Sequence, residues 1–243
     1  MNLKNKIVVI TGGSRGLGES LAYAFAKKHA CVVLCALEET ELKQVCGHIQ
    51  KSGEACDYAR VDVTDKDDVE QFIKKTLARH TTIDVLINNA GWISEKKLIE
   101  ETTDAEYTTY MRTNVDSVFY FLRAAIPAMK KQKEGILITI GSGAGIHGNT
   151  HVPIYSATKF AVHGLMQSVA KQLSDSPVSC ITVAPGGINT AMRRKLFGEK
   201  DASRQQSPEA VAHIIARVVE ERAFSNGDEI EIRDGAIAFQ RHL

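Results

Sequence analysis

The sequence predicts an α/β fold, a seven-stranded parallel sheet with helices on both faces. Three observations carry this. Runs such as Ile7-Val8-Val9-Ile10, Cys31-Val32-Val33-Leu34-Cys35 and Ile136-Leu137-Ile138-Thr139-Ile140 are short and nearly all apolar, as strands covered on both faces must be. Between them apolar residues recur at helical spacing. Strand-like and helix-like segments alternate along all 243 residues, the pattern of repeated βαβ units. No Pro-, Gly- or Ser-rich linker, repeat or low-complexity segment breaks the alternation, so residues 1–243 are expected to form one domain.

The elements follow in order. Ile7 to Ile10 is the first strand, and a helix starts near Gly16 and carries Leu21, Ala22, Phe25 and Ala26. Cys31 to Cys35 is the second strand; Leu42, Val45, Cys46 and Ile49 mark the next helix. A third strand lies near Ala55 to Val61. Thr64 is expected to cap the helix that follows, with Asp67 and Asp68 in its first turn. Val85-Leu86-Ile87 is the fourth strand. A long helical stretch covers about 104–131, with Pro127 as its expected kink. Residues 136–140 form the fifth strand, a helix through Tyr155 runs to about Leu173, and Val178 to Val183 is the sixth strand. Residues 186–207 read as a polar, glycine-bearing excursion. Ser207 and Pro208 then suit the N-cap and first turn of a helix, and Glu229 to Ile232 closes as the seventh strand.

Composition excludes several classes. The net charge of +1 exerts no bulk pull toward nucleic acid or an anionic membrane, and no apolar stretch approaches the roughly 18 residues of a membrane span. The N-terminal segment is too soon interrupted for a secretory signal. Five cysteines without a C-x-x-C pair fit a reduced, cytoplasmic protein better than a disulfide scaffold or zinc site.

In a sheet of this kind ligands bind beyond the carboxyl ends of the strands, at the switch in strand order. The loops after strands one, four, five and six should therefore share one cleft. The first holds Gly12, Gly16 and Gly18 between strand and helix. Glycine there permits a tight turn and lets backbone N–H groups approach a pyrophosphate at the helix N-terminus. The second-strand end carries Ala36-Leu37 in place of the carboxylate that would bind a ribose 2′-hydroxyl, although Glu38 follows directly. Arg15, in the glycine turn, could face a 2′-phosphate, so NADP(H) is favoured and NAD(H) stays open.

Asp62-Val63 ends the third strand, where a carboxylate accepts from an adenine amino group or simply caps a helix. Asn88-Asn89-Ala90-Gly91 ends the fourth, where small residues let a cofactor pass and Asn amides can tie loops together. Ser142 follows the fifth strand, either as a turn serine or as a donor to a substrate oxygen. Asn114 lies mid-helix, where Asn is disfavoured. Pro185-Gly186-Gly187-Ile188-Asn189-Thr190 follows the sixth strand. Tyr155 and Lys159 are four apart, one turn apart on one helix face. A phenol beside a fixed ammonium is expected to lose its proton below its usual value of about 10 and to serve as acid or base.

Together, the Thr11-Gly12 to Gly18 turn, Asp62, the Asn88 to Gly91 run, Asn114, Ser142, the Tyr155–Lys159 pair and Pro185-Gly186 resemble the short-chain dehydrogenase/reductase family over nearly the whole chain. The texture is most similar to the 3-oxoacyl-acyl-carrier-protein reductases. The resemblance implies a Rossmann-type, doubly wound fold and an NAD(P)-dependent oxidoreductase that interconverts a carbonyl and a secondary alcohol. It implies Tyr155 as general acid/base, Lys159 lowering its pKa and binding the ribose, Ser142 positioning the substrate oxygen, and Asn114 holding a water in a proton relay. The cofactor set it implies is Gly12, Ser14, Arg15, Gly16, Leu17, Gly18, Asp62, Val63, Asn88, Ala90, Gly91, Tyr155, Lys159, Pro185, Gly186, Ile188 and Thr190.

It further implies a small carbonyl or alcohol substrate, in one version acyl-carrier-linked, and a homotetramer or homodimer built on the long helices. Two rivals are an NAD-dependent alcohol or steroid-type dehydrogenase and a nucleotide-sensing regulator without activity. His147 and His151 read as a loop pair rather than metal ligands, no other residue completing a metal site with them; His163 reads as structural, and Trp92 as either cleft or packing. The Asp234-Gly235 segment keeps the family's strand-then-turn shape without the usual following glycine, which leaves the tail's subunit contacts open.

Overall fold

The computed structural model describes residues 1–242. It contains β1 (Ile7–Thr11), α1 (Gly16–Ala26), β2 (Cys31–Ala36), α2 (Glu39–Lys51), β3 (Cys56–Arg60), α3 (Lys66–His80) and β4 (Val85–Asn88). After these come α4 (Asp104–Met111), α5 (Ser117–Gln132), β5 (Gly135–Ile140), α6 (Pro153–Gln172) and β6 (Val178–Pro185). The short helices α7 (Ala191–Phe197) and α8 (Glu199–Ala202), then α9 (Pro208–Glu221), β7 (Glu229–Arg233) and β8 (Ala236–Arg241), complete the chain.

The sheet order is β3-β2-β1-β4-β5-β6-β7-β8. The seven expected strands are all present and parallel, and the order reverses between β1 and β4. The expected count of seven needs correction. An eighth strand, β8, returns antiparallel along β7 after the turn at Asp234-Gly235. Its residues are mostly exposed, so it lacks the continuous apolar run that marks the inner strands.

Side chains alternate across the sheet. Val8, Ile10, Leu34, Ile87, Ile138 and Val183 pack with α1, α2 and α9 on one face. Val9, Val33, Leu86, Leu137 and Cys180 pack with α3, α5 and α6 on the other. Each large side chain so buried contributes about 1.5–3 kcal/mol, and Phe25 and Phe121 anchor the two faces.

Three local expectations change. Asp65, not Thr64, caps α3, accepting from the N–H groups of Asp67 and Asp68; Thr64 instead donates to Asp62 Oδ1. The long helical stretch departs from α geometry at Arg112–Asp116, where one π-type turn joins α4 to α5, whereas the helix continues through Pro127. The 186–207 excursion is partly helical, as α7 and α8, and Ile188 bridges back to Gln206. Ser207 caps α9 as expected, accepting from Ala210 N–H.

Candidate active site

The loops after β1, β4, β5 and β6 meet at the carboxyl edge of the sheet. Thr11, the last residue of β1, fixes the first two. Its hydroxyl accepts from the N–H groups of Asn89 and Ala90, both at 2.9 Å. Asn89 Nδ2 returns to Thr11 O at 2.8 Å and Gly12 O at 3.2 Å. The loop-tying amide in the Asn pair is therefore Asn89, which spacing alone did not separate from Asn88.

Gly12 has φ +65°, a left-handed conformation, and a Cβ there would stand 3.0 Å from the Ala90 Cα. A Cβ on Gly18 would lie 2.0 Å from the Gly12 carbonyl oxygen. The turn thus closes on the first turn of α1 with no room for a methyl group. The Arg15 side chain gives α1 no cap, so its first N–H groups remain free for an anion. Ser14 and Leu17 are buried beside the turn. Thr190 Cγ2 comes to 3.5 Å from the Cβ position at Gly16, which brings the post-β6 loop to the same place.

A dinucleotide fits these residues. Asn88 Oδ1 and Asn189 Oδ1 are buried without a hydrogen-bond partner among the described residues, and an unmet buried acceptor costs about 1–3 kcal/mol. Asn189 has no place among the sequence candidates; its position after Ile188 was its only signal. Asp62 Oδ1 is taken up by Thr64, through N–H at 2.9 Å and Oγ1 at 2.7 Å, and Val63 is buried beneath it. Pro185 ends β6, and Gly186 N–H donates to Ile232 O at 2.8 Å.

The strand end read as lacking a carboxylate has one nearby. Glu38 folds onto the glycine turn, pairing with Arg15 Nη2 at 3.0 Å and accepting from Ser14 Oγ at 3.3 Å. The Arg15–Glu38 pair is open to solvent, so it is worth less than about 1 kcal/mol and exchanges readily for a ligand anion.

Tyr155 and Lys159 lie in the first turns of α6 and face the post-β5 loop. Ser142 lies beside the Tyr155 phenol and favours its ionised form, and its Oγ accepts from Ala144 N–H at 3.1 Å. Lys159 Nζ donates to Ile140 O at 2.8 Å and sits 5.6 Å from the Tyr155 ring centroid. Burial holds the Lys159 ammonium down at about 8. The Tyr155 phenol is pushed up to about 12, chiefly by burial, with the nearby Ser142 hydroxyl working the other way. This reverses the expected depression by Lys159, because the interior that brings the two groups together disfavours both charges.

Asn114, in the π-type turn, is buried. Its Oδ1 accepts from Trp92 N–H at 2.7 Å, and its Nδ2 donates to Trp92 O at 2.9 Å and Thr158 Oγ1 at 3.1 Å. The side chain therefore clamps the post-β4 loop onto α6. A Cβ on Gly91 would fall 3.5 Å from Asn114 Oδ1 and 3.9 Å from Lys159 Nζ, so all three groups converge. Trp92 stacks edge-on against Tyr110 at 4.7 Å. His147 and His151 are exposed. Another grouping, Cys31, Asp57 and His80, lies at the amino ends of β2 and β3, away from the cleft, with ligand atoms within 4.8 Å of one another. Its carboxylate is already bonded to Arg79 at 2.9 Å and His80 at 2.8 Å.

A switch-point cleft with a glycine turn, beside a Ser–Tyr–Lys cluster, defines an oxidoreductase-type site on a doubly wound sheet. The family model described as short chain dehydrogenase matches residues 6–201. The 3-oxoacyl-[acyl-carrier-protein] reductase FabG of Escherichia coli (strain K12) is 30% identical over 97% of this chain and 98% of its own length. The 3beta-hydroxysteroid dehydrogenase 2 of Eggerthella lenta is 29% identical over 98% and 96%. A short chain dehydrogenase from Shigella flexneri 2a, solved in complex with NADP, superposes with a TM-score of 0.89 at 25% identity, over 95% of this chain and 98% of that one. The chain belongs to the short-chain dehydrogenase/reductase family and is an oxidoreductase of that NAD(P)-binding family. No helix among the described residues is long and apolar enough to cross a membrane.

Proposed function

We propose that this chain is an NADP(H)-dependent reductase of a ketone, 3-oxoacyl-like or related, with Tyr155 as the acid. The observation that carries this is the meeting of Tyr155, Ser142 and Lys159 at the glycine-turn cleft. When bound, a nicotinamide cofactor would supply the hydride that reduces the carbonyl. Ser142 Oγ orients the carbonyl oxygen, and Tyr155, protonated at neutral pH because its phenol lies near 12, gives that oxygen its proton. Lys159 restores the proton to Tyr155 and anchors the ribose, and Asn114 holds the loop past which the relay reaches solvent.

The glycine turn with Ser14, Arg15 and Leu17 would hold the pyrophosphate and adenosine side; Asp62 and Val63 the adenine; Asn88, Ala90 and Gly91 the central ribose; Pro185, Gly186, Ile188 and Thr190 the nicotinamide. The NADP complex of the similar dehydrogenase and the exchangeable Arg15 favour NADP(H). Glu38 favours a second reading, an NAD(H)-dependent steroid-type or alcohol dehydrogenase, because its carboxylate can accept from a free 2′-hydroxyl and repels a phosphate. The relatives' names favour an acyl-carrier-linked substrate. Exposed Tyr107, Phe119 and Phe160 on α4, α5 and α6 support a homotetramer or homodimer built on these helices. One domain and a cytoplasmic setting complete the reading.

The test is NADPH and NADH oxidation over acyl, quinone, sugar, steroid and small-ketone substrates. Tyr155→Phe is expected to lower kcat by at least about 10²-fold with cofactor affinity kept, and Arg15→Ala to weaken NADPH alone. Wild-type kcat/KM for reduction should fall as pH rises through about 8, where Lys159 loses its proton. Near-normal turnover by Tyr155→Phe would sink the proposal; equal loss of NADH and NADPH in Arg15→Ala would favour the NAD(H) reading.

A further inference from the structure

The chemistry above leaves one buried ionisable pair unused, and it lies directly beneath Ser142. His163, one turn beyond Lys159 on α6, and Glu229, the first residue of β7, have side chains 5% and 3% exposed. His163 Nδ1 stands 2.9 Å from Glu229 Oε2. On the other side of the ring, Ser142 N–H points at Nε2 at 3.4 Å. Glu229 Oε1 faces Arg241 Nη2 of β8 at 3.3 Å. The chain therefore runs from the edge strand through a carboxylate and an imidazole to the backbone of the candidate catalytic serine.

Proton bookkeeping fixes the sense of each bond. An ionised carboxylate only accepts, so Nδ1 carries the imidazole proton, and Nε2 then presents its lone pair to Ser142 N–H. Two glycines make room for the ring. A Cβ on Gly141 would stand 2.2 Å from His163 Nε2, and one on Gly145 would stand 2.9 Å from it. The 141–145 loop is thus moulded on the imidazole, and Ser142 sits at the point of contact.

We propose that His163, oriented by Glu229, is a positioning residue for Ser142: it anchors the backbone at 142 and holds Oγ at the Tyr155 phenol. The proposal rests on the catalytic reading of Ser142 and Tyr155 given above. The groups that face the imidazole, Glu229 from β7, Arg241 from β8 and Lys159 from its own helix, oppose one another. Burial outweighs them and lowers its pKa, so the ring is neutral at pH 7. Protonation would place an N–H against the Ser142 N–H and release the loop.

The experiment measures kcat, KM, NADPH Kd by fluorescence titration and melting temperature for the full chain, using the best carbonyl found in the substrate screen. His163→Leu is expected to lower kcat about tenfold, the equivalent of about 1.4 kcal/mol, with NADPH Kd within about twofold. His163→Gln, which keeps an acceptor near the Nε2 position, should recover part of the rate. In a Ser142→Ala background His163→Leu should cost no further rate, because both changes remove one function. Unchanged kcat in His163→Leu, or rate losses that multiply in the double variant, would overturn the assignment. Should His163→Leu fail to fold, Glu229→Gln in the same two backgrounds gives the same reading. Tyr155→Phe in parallel reports on the catalytic reading alone: retained turnover there overturns that reading, whereas multiplying losses overturn only the role of His163.

Discussion

At the scale of single residues, Lys159 is where the proposed function and stability pull apart. Its ammonium is buried, and burial lowers its pKa from the ordinary 10.5 to about 8. A base whose folded value is depressed costs stability while it is charged. The cost is full below about pH 8 and fades as pH rises toward 10.5. The shift is worth on the order of 3 kcal/mol, partly offset by the bond to Ile140 O. Lys159→Met should therefore be more stable than the wild type at pH 7 by about 1–3 kcal/mol, with the gain gone near pH 10.5, although inactive. Urea midpoints of both proteins at pH 7 and pH 10 check this; an unchanged or lower midpoint at pH 7 contradicts it. The spacing of Tyr155 and Lys159 was legible in the sequence because helix geometry alone sets it. The direction of the Tyr155 shift was not, since it depends on how deeply α6 packs against β5 and β6. The sequence supports only a structural reading of His163 for the same reason: its partners, Glu229 and the Ser142 N–H, are far from it along the chain.

At the scale of elements, the π-type turn at Arg112–Asp116 is informative. A wound-out turn of this kind is common at functional sites, and here it carries Asn114 to the Trp92 peptide. Asn114→Ala removes three hydrogen bonds of a buried side chain, two of them to Trp92, and should lower stability by about 1–3 kcal/mol. Trp92 is the sole tryptophan, so its emission should shift red as the loop loosens; an unshifted spectrum would contradict the clamp. Proline is the obvious breaker, so the kink is expected at Pro127, whereas the departure lies at Arg112–Asp116, where Asn114 bonds Trp92 and Thr158. The strands β1 to β7 were readable since burial on both faces writes itself as apolar runs. β8 was not, because an edge strand has little to bury.

At the scale of the whole molecule, β8 closes the charge balance of the β7 edge. Gln240 and His242 bond the buried Asp228 carboxylate, and Arg241 bonds Glu229. Removing residues 236–243 leaves both carboxylates short of partners and uncovers the β7 backbone. Each buried carboxylate left without a partner costs about 1–3 kcal/mol, a sizeable share of the roughly 5–15 kcal/mol that holds a domain together. The truncated chain should melt well below the intact one; equal melting temperatures would show that β8 is dispensable.

The two hydrophobic clusters also bear on how the molecule could be improved. The sheet stands between them as a wall, and residues one step apart on a strand, such as Val8 and Val9, belong to different cores. Phe25 and Phe121 belong to different cores on opposite faces, so replacements around one and around the other should sum to within about 0.5 kcal/mol. Stabilising changes around Phe25 and around Phe121 can then be selected in separate libraries and merged in one chain. A merged variant whose melting shift falls short of the summed shifts would reveal that the wall conducts strain.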